Sequence, residues 1–327
     1  MTTPSTASPV DAACGVPLVP LRRFTGPRWW PVWIGLAVVR GLALLPWRSQ
    51  AVLARAVGTI GWYLARRDRR VTLINLRLAF PALTERERRR IGRGHFQSLS
   101  YSLFEVGLVW FDHSGRLERL TRVEGQQHLA AAVARGKGVL LLGAHFTTNE
   151  IAAATLPQTG QEFEIMYKPS TNELVNQLAL RARIARGGRM IPSERFVEML
   201  RALKRGGIVL YAPDQRFDGA GRITVPLFGV PALSNPGTTF VARATRCAVL
   251  PFFPRRLADG SGYVMTIGAP LPDFPSDDPV RDVARYHALI EAAAAVAPEQ
   301  YLWSYKRFRP LAGEPDPYQS GALRAAS

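Results

Sequence analysis

Short apolar runs alternate with helical patterns from Gly136 onward, and this alternation limits the possible folds more than any other feature of the chain. Helical patterns fit at about 172–186, 194–205, 235–245 and 279–296. Strands joined by helices pair most readily in parallel, so we expect an α/β fold with a twisted, mostly parallel central sheet flanked by helices. The strand candidates are Val139 to Leu142, Phe163 to Met166, Ile208 to Tyr211, Ala248 to Phe253 and Tyr263 to Ile267.

The N-terminal part of the chain has a different character. From Trp29 to Trp47 it is apolar apart from Arg40, with tryptophan at both ends as in the aromatic belts of membrane interfaces. Spanning ~30 Å of hydrocarbon takes about 20 apolar residues, so this run is marginal in length for a span. We expect an N-terminal, hydrophobic, membrane-anchoring helical segment that either crosses the membrane or lies shallowly in it.

A long amphipathic helix is predicted between these two regions. Thr84 has the chemistry of an N-cap residue, and Glu87 stands three residues later as its capping-box partner. The helical pattern then continues to about Phe111.

The charge of the chain is strongly positive, with 42 Lys and Arg against 25 Asp and Glu and a formal net charge of +17. Such a field attracts polyanions, which include nucleic acids, anionic membranes and acidic proteins. A nucleic-acid interface would interleave aromatic and basic residues, whereas the tryptophans here gather near the apolar segment, so we expect no nucleic-acid partner. The two cysteines, Cys14 and Cys247, predict no disulfide framework and fit a reducing compartment.

The densest functional signal is an apolar strand that runs into His145, followed five residues later by Glu150. On one continuous helix five residues rotate by ~500°, which leaves the two side chains about 140° apart. If His145 instead lies in the turn after the strand and Glu150 in the first helical turn, with Thr147 or Thr148 as the cap, the carboxylate can hydrogen-bond the imidazole. The other ring nitrogen is then free to act as a base.

The same two residues could also be metal ligands. No H-E-x-x-H motif accompanies them, and His95, His113 and His128 lie on helix-like segments elsewhere. There is likewise no G-x-S-x-G motif that would supply an enzyme nucleophile. We therefore expect no metal and no other cofactor.

The sequence resembles the lipid A late acyltransferases, the lauroyl and myristoyl transferases of a larger acyltransferase group that shares an H-x4-D or H-x4-E motif. The resemblance extends over roughly residues 30 to 310 and includes further blocks in the family's order. These are Asn75 to Pro81, Met166 to Pro169 with Asn172, Arg181 and Arg183 with Gly187, Ala212 to Gln215, Val225 to Gly229, Ala297 to Trp303, and Lys306 to Phe308.

The resemblance implies transfer of an acyl chain from a thioester, carried by acyl carrier protein or coenzyme A, to a hydroxyl of an anionic lipid acceptor, an acylated glucosamine disaccharide. It implies that His145 and Glu150 are the catalytic pair, and that the protein works at the cytoplasmic face of a bacterial inner membrane. The expected regions are a disordered leader (1–21), a membrane-anchoring region (22–66), the acyltransferase domain (67–310) and a disordered tail (311–327).

Four further residues are predicted to bind substrate. Lys168, Arg183 and Arg189 are positive groups suited to a phosphate or to the oxyanion of a tetrahedral intermediate. Lys168 stands where the family more usually has Arg, so the charge is kept but the bidentate fork is lost. Asp214 follows a predicted strand, and the carboxyl ends of strands carry ligand sites in α/β sheets.

The sequence leaves the acceptor open. The same H-x4-E chemistry would serve a lysophospholipid, a glycerol phosphate or another glycolipid, and the order of the blocks favours the lipid A precursor. Acyl chain length and the acylated position are not encoded in any of these motifs.

Overall fold

The computed structural model describes residues 18–112, 114–311 and 313–319. Most of the expected leader, including Cys14, and also His113 and the last eight residues lie outside the described residues.

The core of the fold is a seven-stranded sheet. Its strands are β1 (Thr121–Glu124), β2 (Val139–Leu142), β3 (Phe163–Tyr167), β4 (Gly188–Pro192), β5 (Ile208–Tyr211), β8 (Ala248–Arg256) and β9 (Tyr263–Ile267), and β6 (Ile223–Leu227) and β7 (Val230–Ser234) form a separate hairpin. The strand order of the sheet is β1-β9-β8-β2-β5-β3-β4. All neighbouring strands pair in parallel except β8 and β9, which are antiparallel, so the predicted mostly parallel α/β sheet is confirmed.

The burial of each strand explains which strands the sequence pattern predicted. Each of the four residues of β2 is buried, as expected for a central parallel strand covered on both faces. The two edge strands, β1 and β4, were not predicted, because they carry charged residues and, in β4, a glycine and a proline that lack strand propensity.

Helices cover the sheet and extend N-terminally from it. The four helices predicted between and after the strands are present, and the long helix predicted after Thr84 runs to Phe111 as expected. The α-helices are α1 (Trp30–Ala43), α2 (Trp47–Leu64), α3 (Arg66–Ala79), α4 (Glu85–Phe111), α5 (Arg116–Leu120), α6 (Gln126–Ala134), α7 (Asn149–Thr155), α8 (Glu173–Ala185), α9 (Phe196–Lys204), α10 (Gly237–Thr245) and α11 (Pro279–Val296).

The predicted capping box at the start of α4 is confirmed. The backbone N–H of Glu87 donates to Thr84 Oγ1 (3.3 Å), and the backbone N–H of Thr84 donates to Glu87 Oε2 (2.8 Å). These bonds satisfy two donors that a helix start otherwise leaves unpaired.

The apolar segment from Trp29 to Trp47 bends instead of continuing as one helix. Helix α1 ends at Ala43, and α2 begins after Pro46. Trp30, Ile34 and Val38, spaced four residues apart on α1, are all more than half exposed. Among the residues that the structure describes, no helix has both the length and the apolarity to cross a membrane.

Both ends of the described chain contact the folded body. The backbone N–H of Val19 donates to Gln177 Oε1 of α8 (3.0 Å), and Tyr318 is buried. Val19 and Tyr318 lie within the regions expected to be disordered, 1–21 and 311–327, but both are ordered. Each contacts a partner in the folded body, and local composition does not reveal such a partner.

Helix α2 packs closely on α4. A Cβ atom on Gly58 would lie 2.4 Å from the Cα of Gln97 and 2.6 Å from the carbonyl oxygen of Phe96. Beside this contact the Gln97 side-chain amide donates to Thr59 Oγ1 (2.9 Å). The N-terminal helices are thus attached to the longest helix of the domain through a position where only glycine fits.

We predict that Gly58→Ala destabilises the protein by about 1–3 kcal/mol, because the two backbones must move apart to admit one methyl group. Gly35→Ala on α1 is the matched control, since a Cβ atom there meets nothing within 4 Å. The control should be neutral or stabilising by up to ~1 kcal/mol, the usual preference for alanine in a helix. Chemical unfolding of both variants in detergent measures the difference, and equal midpoints for both would contradict the close packing.

Candidate active site

The local structure around His145 agrees with the sequence prediction. Strand β2 ends at Leu142, His145 lies in the following turn, and Glu150 is in the first turn of α7. The predicted side-chain cap is absent. Thr148 occupies the N-cap position, but its hydroxyl makes no hydrogen bond within the described chain, and the Thr147 hydroxyl bonds Ser98 instead (2.6 Å).

The carboxylate that holds His145 is Asp214. Asp214 Oδ1 lies 2.5 Å from His145 Nδ1, and Asp214 Oδ2 accepts the backbone N–H of His145 at 2.9 Å. The register of the sheet explains why His145 and Asp214 lie next to each other. Leu142 of β2 is paired with Tyr211 of β5, and His145 and Asp214 each follow their strand by three residues at the same edge of the sheet.

Glu150 has a different partner from the one we expected. Its carboxylate forms a two-point ion pair with Arg183 of α8, in which Arg183 Nη2 donates to Oε1 and Nε lies 3.5 Å from Oε2. The predicted bond from Glu150 to the imidazole is therefore replaced by the bond from Asp214. The physical reason is that β5 brings Asp214 directly against the Nδ1 side of the ring, while α8 places a guanidinium beside Glu150.

Electrostatics stabilise the charged form of both members of the His145–Asp214 pair. Burial raises the pKa of Asp214, but the charge of His145 and the hydrogen bonds from it lower the pKa more, so the balance lies below the usual value. Burial lowers the pKa of His145, but the charge of Asp214 and the hydrogen bond to it place the pKa above its usual value. An ionised Asp214 fixes the proton of neutral His145 on Nδ1 and leaves Nε2 as an acceptor.

A cavity of about 410 Å³ opens at His145. Glu150, Lys168 and Arg183 also line it, and the side chain of His145 is 34% exposed. One wall is apolar, formed by Ala152, Ala153, Ile165, Leu210 and Phe252. The cavity thus combines a base, positive charge and an apolar surface.

Arg189, the remaining predicted substrate residue, lies apart from these groups. It is exposed on the edge strand β4 and does not line the cavity. The neighbouring Gly188 and Met190 are buried, so the alternation of the strand turns Arg189 outward. Arg189 lies close in sequence to Arg183, but that proximity does not predict which face of the strand the Arg189 side chain occupies.

The turn that carries His145 is held by a C-terminal segment. The backbone N–H of Thr147 donates to the carbonyl oxygen of Gln300 (2.8 Å), and the N–H of Leu302 donates to the carbonyl oxygen of His145 (3.1 Å). The Tyr301 hydroxyl lies 3.5 Å from Asp214 Oδ2. The sequence pattern assigns these residues no role, although they fall in the block Ala297 to Trp303 that resembles the family.

A buried ion pair supports the other side of the same turn. Arg256 of β8 contacts Glu105 of α4 and donates from Nη1 to Ser98 Oγ (2.8 Å). Ser98 in turn bonds the hydroxyl of Thr147. Both charged groups are almost fully buried, so breaking the pair would leave an uncompensated charge inside the protein.

Arg307 is a second buried cation that the sequence did not reveal as functional. Its Nη1 donates to the carbonyl oxygen of Leu233 (2.8 Å), its Nη2 donates to Ser234 Oγ (2.9 Å), and its charge contributes to the lowered pKa of Asp214. Arg307 belongs to the block Lys306 to Phe308, which resembles the family, but nothing in the sequence of that block indicated a chemical role for it.

Within the described part of the chain, no group of three or more His, Cys, Asp or Glu side chains is placed to hold a metal ion. The alternative of a metal site at His145 and Glu150 therefore has no ligand set to support it. Of the other histidines, His95 is buried, with Nδ1 3.2 Å from the carbonyl oxygen of Glu299, and burial lowers its pKa to about 4.

Comparison with known proteins identifies the family of the chain. The family model described as bacterial lipid A biosynthesis acyltransferase matches residues 21–310. The chain is 34% identical to the lipid A biosynthesis lauroyltransferase of Escherichia coli K12 over 285 residues, which cover 86% of this chain and 92% of that protein. The chain belongs to the bacterial lipid A biosynthesis acyltransferases.

Two further relatives share this length of similarity. The lipid A biosynthesis palmitoleoyltransferase of E. coli K12 is 31% identical, with 88% of this chain and 94% of that protein covered. The lipid A biosynthesis myristoyltransferase of the same organism is 24% identical, with 91% and 93% covered. The names of these relatives differ in the acyl chain, so membership of the lipid A acyltransferases leaves chain length undetermined.

We predict different pH profiles for variants of the two carboxylates. Asp214→Asn removes the charge that raises the pKa of His145, so the acid limb of kcat/KM should move to lower pH while the maximal rate falls by about 10²-fold or more. Glu150→Gln should lower the rate without moving that limb, because Glu150 pairs with Arg183.

The measurement is acyl transfer as a function of pH for both variants, with unfolding midpoints to show that each is folded. A limb that moves in Glu150→Gln and stays in place in Asp214→Asn would show that Glu150 is the partner of the imidazole in the working enzyme.

Proposed function

We propose that this protein transfers a fatty acyl chain from a thioester donor to a hydroxyl of a lipid A precursor, with His145 as the general base. The observation that carries the proposal is the pairing of His145 Nδ1 with the buried carboxylate of Asp214, at the mouth of a cavity that has an apolar wall. The family membership supports acyl transfer as the reaction class.

The chemistry requires a base, because an alcohol attacks a carbonyl poorly until its proton is removed. In the proposed reaction His145 Nε2 takes the proton of the acceptor hydroxyl as the oxygen bonds to the thioester carbon. Collapse of the tetrahedral intermediate breaks the carbon–sulfur bond, and the imidazolium returns the proton to the departing thiolate. Asp214 stabilises the imidazolium between these steps, as the carboxylate does in a Ser-His-Asp triad.

Glu150 acts on Arg183 in this scheme. Their ion pair holds the guanidinium at the cavity wall, where it can stabilise the oxyanion of the intermediate or a phosphate of the acceptor. Glu150 is therefore a positioning residue. Lys168 at the same wall supplies a second positive charge, as a point charge without a fork.

The donor side of the site follows from the apolar wall. A fatty chain bound against Ala152, Ile165 and Phe252 would place its carbonyl toward His145 at the open end of the cavity. Acyl carrier protein or coenzyme A would present the thioester there. The net charge of +17 on the enzyme would attract either carrier, because acyl carrier protein and coenzyme A are both anionic.

We also propose that the protein associates with the cytoplasmic face of the inner membrane. The outward faces of α1 and α2 are apolar, and the exposed side chains include Trp30, Ile34, Val38, Val52, Val57, Ile60 and Leu64. Arginines stand in the same region at positions 40, 48, 55, 66, 67, 69 and 70. Burial of the apolar face and attraction of these arginines to anionic headgroups would act together, at about 1 kcal/mol per basic residue near the surface.

Replacement of the base tests the proposed reaction. His145→Ala should reduce acyl transfer by about 10²-fold or more, on the scale of lost general-base catalysis. His128→Ala is the matched control, since His128 lies on α6 outside the cavity. Purified variants are compared by mass spectrometry of the acylated product.

Lipid A from a deletion strain complemented by each variant then identifies the acceptor, and unchanged lipid A with an altered phospholipid would identify another lipid as the acceptor.

Substitution on α1 tests the membrane proposal. The double variant Ile34→Asp and Val38→Asp should move the protein from the membrane fraction toward the soluble fraction at high salt, because two carboxylates replace exposed apolar side chains. Ala292→Asp with Val296→Asp, at exposed positions of α11, is the control and should change nothing. Retention of the α1 variant in the membrane at high salt would assign the anchor to another surface.

A further inference from the structure

A second groove adjoins the catalytic cavity. It encloses about 650 Å³ and is open to the surface between helices α9 and α10. Met166, Ser193 and Tyr211 line both spaces, so these three residues form the partition between them. The Tyr211 hydroxyl accepts a hydrogen bond from Asn235 Nδ2 (3.2 Å), which holds the partition in place.

The wall of this groove is aromatic and partly exposed. The rings of Phe196 of α9 and Phe240 of α10 have centroids 6.3 Å apart, and Phe217 also lines the space. Phe240 is 57% exposed, and Phe196 and Phe217 are half-buried. Aromatic side chains gathered around an open groove are a sign of a ligand site, because their contact with water is unfavourable.

The reaction itself supplies a ligand for such a groove. Acyl transfer from a fatty thioester to an acylated lipid brings the hydrocarbon chains of both substrates near one carbonyl, and the catalytic cavity has an apolar wall for the chain of the donor. The acceptor carries acyl chains of its own, which need a separate apolar surface within reach of His145. The groove begins across the partition formed by Met166, Ser193 and Tyr211, and it is open to the surface.

We propose that this groove binds an acyl chain already present on the lipid acceptor and so directs the acceptor hydroxyl toward His145. The proposal rests on the proposed function and adds a binding site for the second substrate. Arg243, one helical turn beyond Phe240, lies at the same groove. Its Nη2 donates to the carbonyl oxygen of Ser276 (2.8 Å) and lies 3.8 Å from Asp277 Oδ1, and its side chain remains 55% exposed beside the apolar wall. That pairing of an aromatic wall with a cation suits an amphiphile that carries both acyl chains and phosphate.

Two variants change the groove in opposite ways. Phe240→Ala removes an exposed aromatic wall, and Ala220→Trp places a large ring in the groove at an exposed position. Both should raise the KM for the acylated disaccharide acceptor about tenfold, with kcat and the KM for the donor little changed, because apolar contact with the acceptor chain is lost or blocked. Val296→Ala and Ala295→Trp, at exposed positions of α11 outside the groove, are the matched controls.

The acceptor provides the decisive comparison. With an acceptor that lacks the chain held in the groove, Phe240→Ala and the wild-type protein should have the same KM. A rise in the KM for the donor alone would assign the groove to the donor chain and overturn the proposal. Unchanged constants for both substrates would also overturn it.

Direct binding separates this proposal from the proposed reaction. If the wild-type protein did not acylate the disaccharide lipid, the proposed function would fail, and the groove would still be tested by fluorescence. The full-length variants Phe240→Trp and Val296→Trp are titrated in detergent with the disaccharide lipid carrying brominated acyl chains. Greater quenching in Phe240→Trp supports the site, and equal quenching in the two variants excludes it.

Discussion

A buried carboxylate needs hydrogen-bond donors, and in this protein Asp214 finds two of them on His145. The ring Nδ1–H and the backbone N–H of the same residue both point at it. The cost of burying the charge is thereby offset, and the ring and the backbone of the turn are oriented together. This geometry requires β2 and β5 to be neighbours in parallel register, so the site depends on the central pairing of the sheet.

The rest of the chain holds that turn in place from both sides. The segment that follows α11 bonds the peptide groups of His145 and Thr147, while Ser98 of α4 bonds the Thr147 side chain. Asn75 of α3 fixes the same C-terminal segment through bonds to the carbonyl oxygens of Trp303 and Tyr305. Two of the blocks that resemble the family, Asn75 to Pro81 and Ala297 to Trp303, although distant in sequence, therefore meet at the segment that holds the turn. Such a surrounding shell keeps a catalytic side chain in one productive orientation.

The two carboxylates near the base have separate tasks. Asp214 is buried against the imidazole and in the proposed reaction stabilises its protonated form, whereas Glu150 is partly exposed at the cavity wall and pairs with a guanidinium. The short spacing between His145 and Glu150 therefore reflects the strand-turn-helix connection, which puts both residues at one cavity. Neighbours in the motif need not be hydrogen-bond partners, because the direction of each side chain depends on which strand or helix packs opposite it.

Local pattern was sufficient for much of this protein. Apolar runs and helical periodicity predicted the five inner strands, four of the flanking helices and the capping box at Thr84, since each depends on residues close together in the chain. The turn position of His145 followed from the same patterns. Lys168, predicted as a positive substrate-binding group once the resemblance was established, lines the cavity. Tertiary structure alone decided the rest. Strand order brought Asp214 to the imidazole, packing of α8 gave Glu150 its arginine, and the edge position of β4 turned Arg189 outward, because contacts between distant segments leave no periodic trace in sequence.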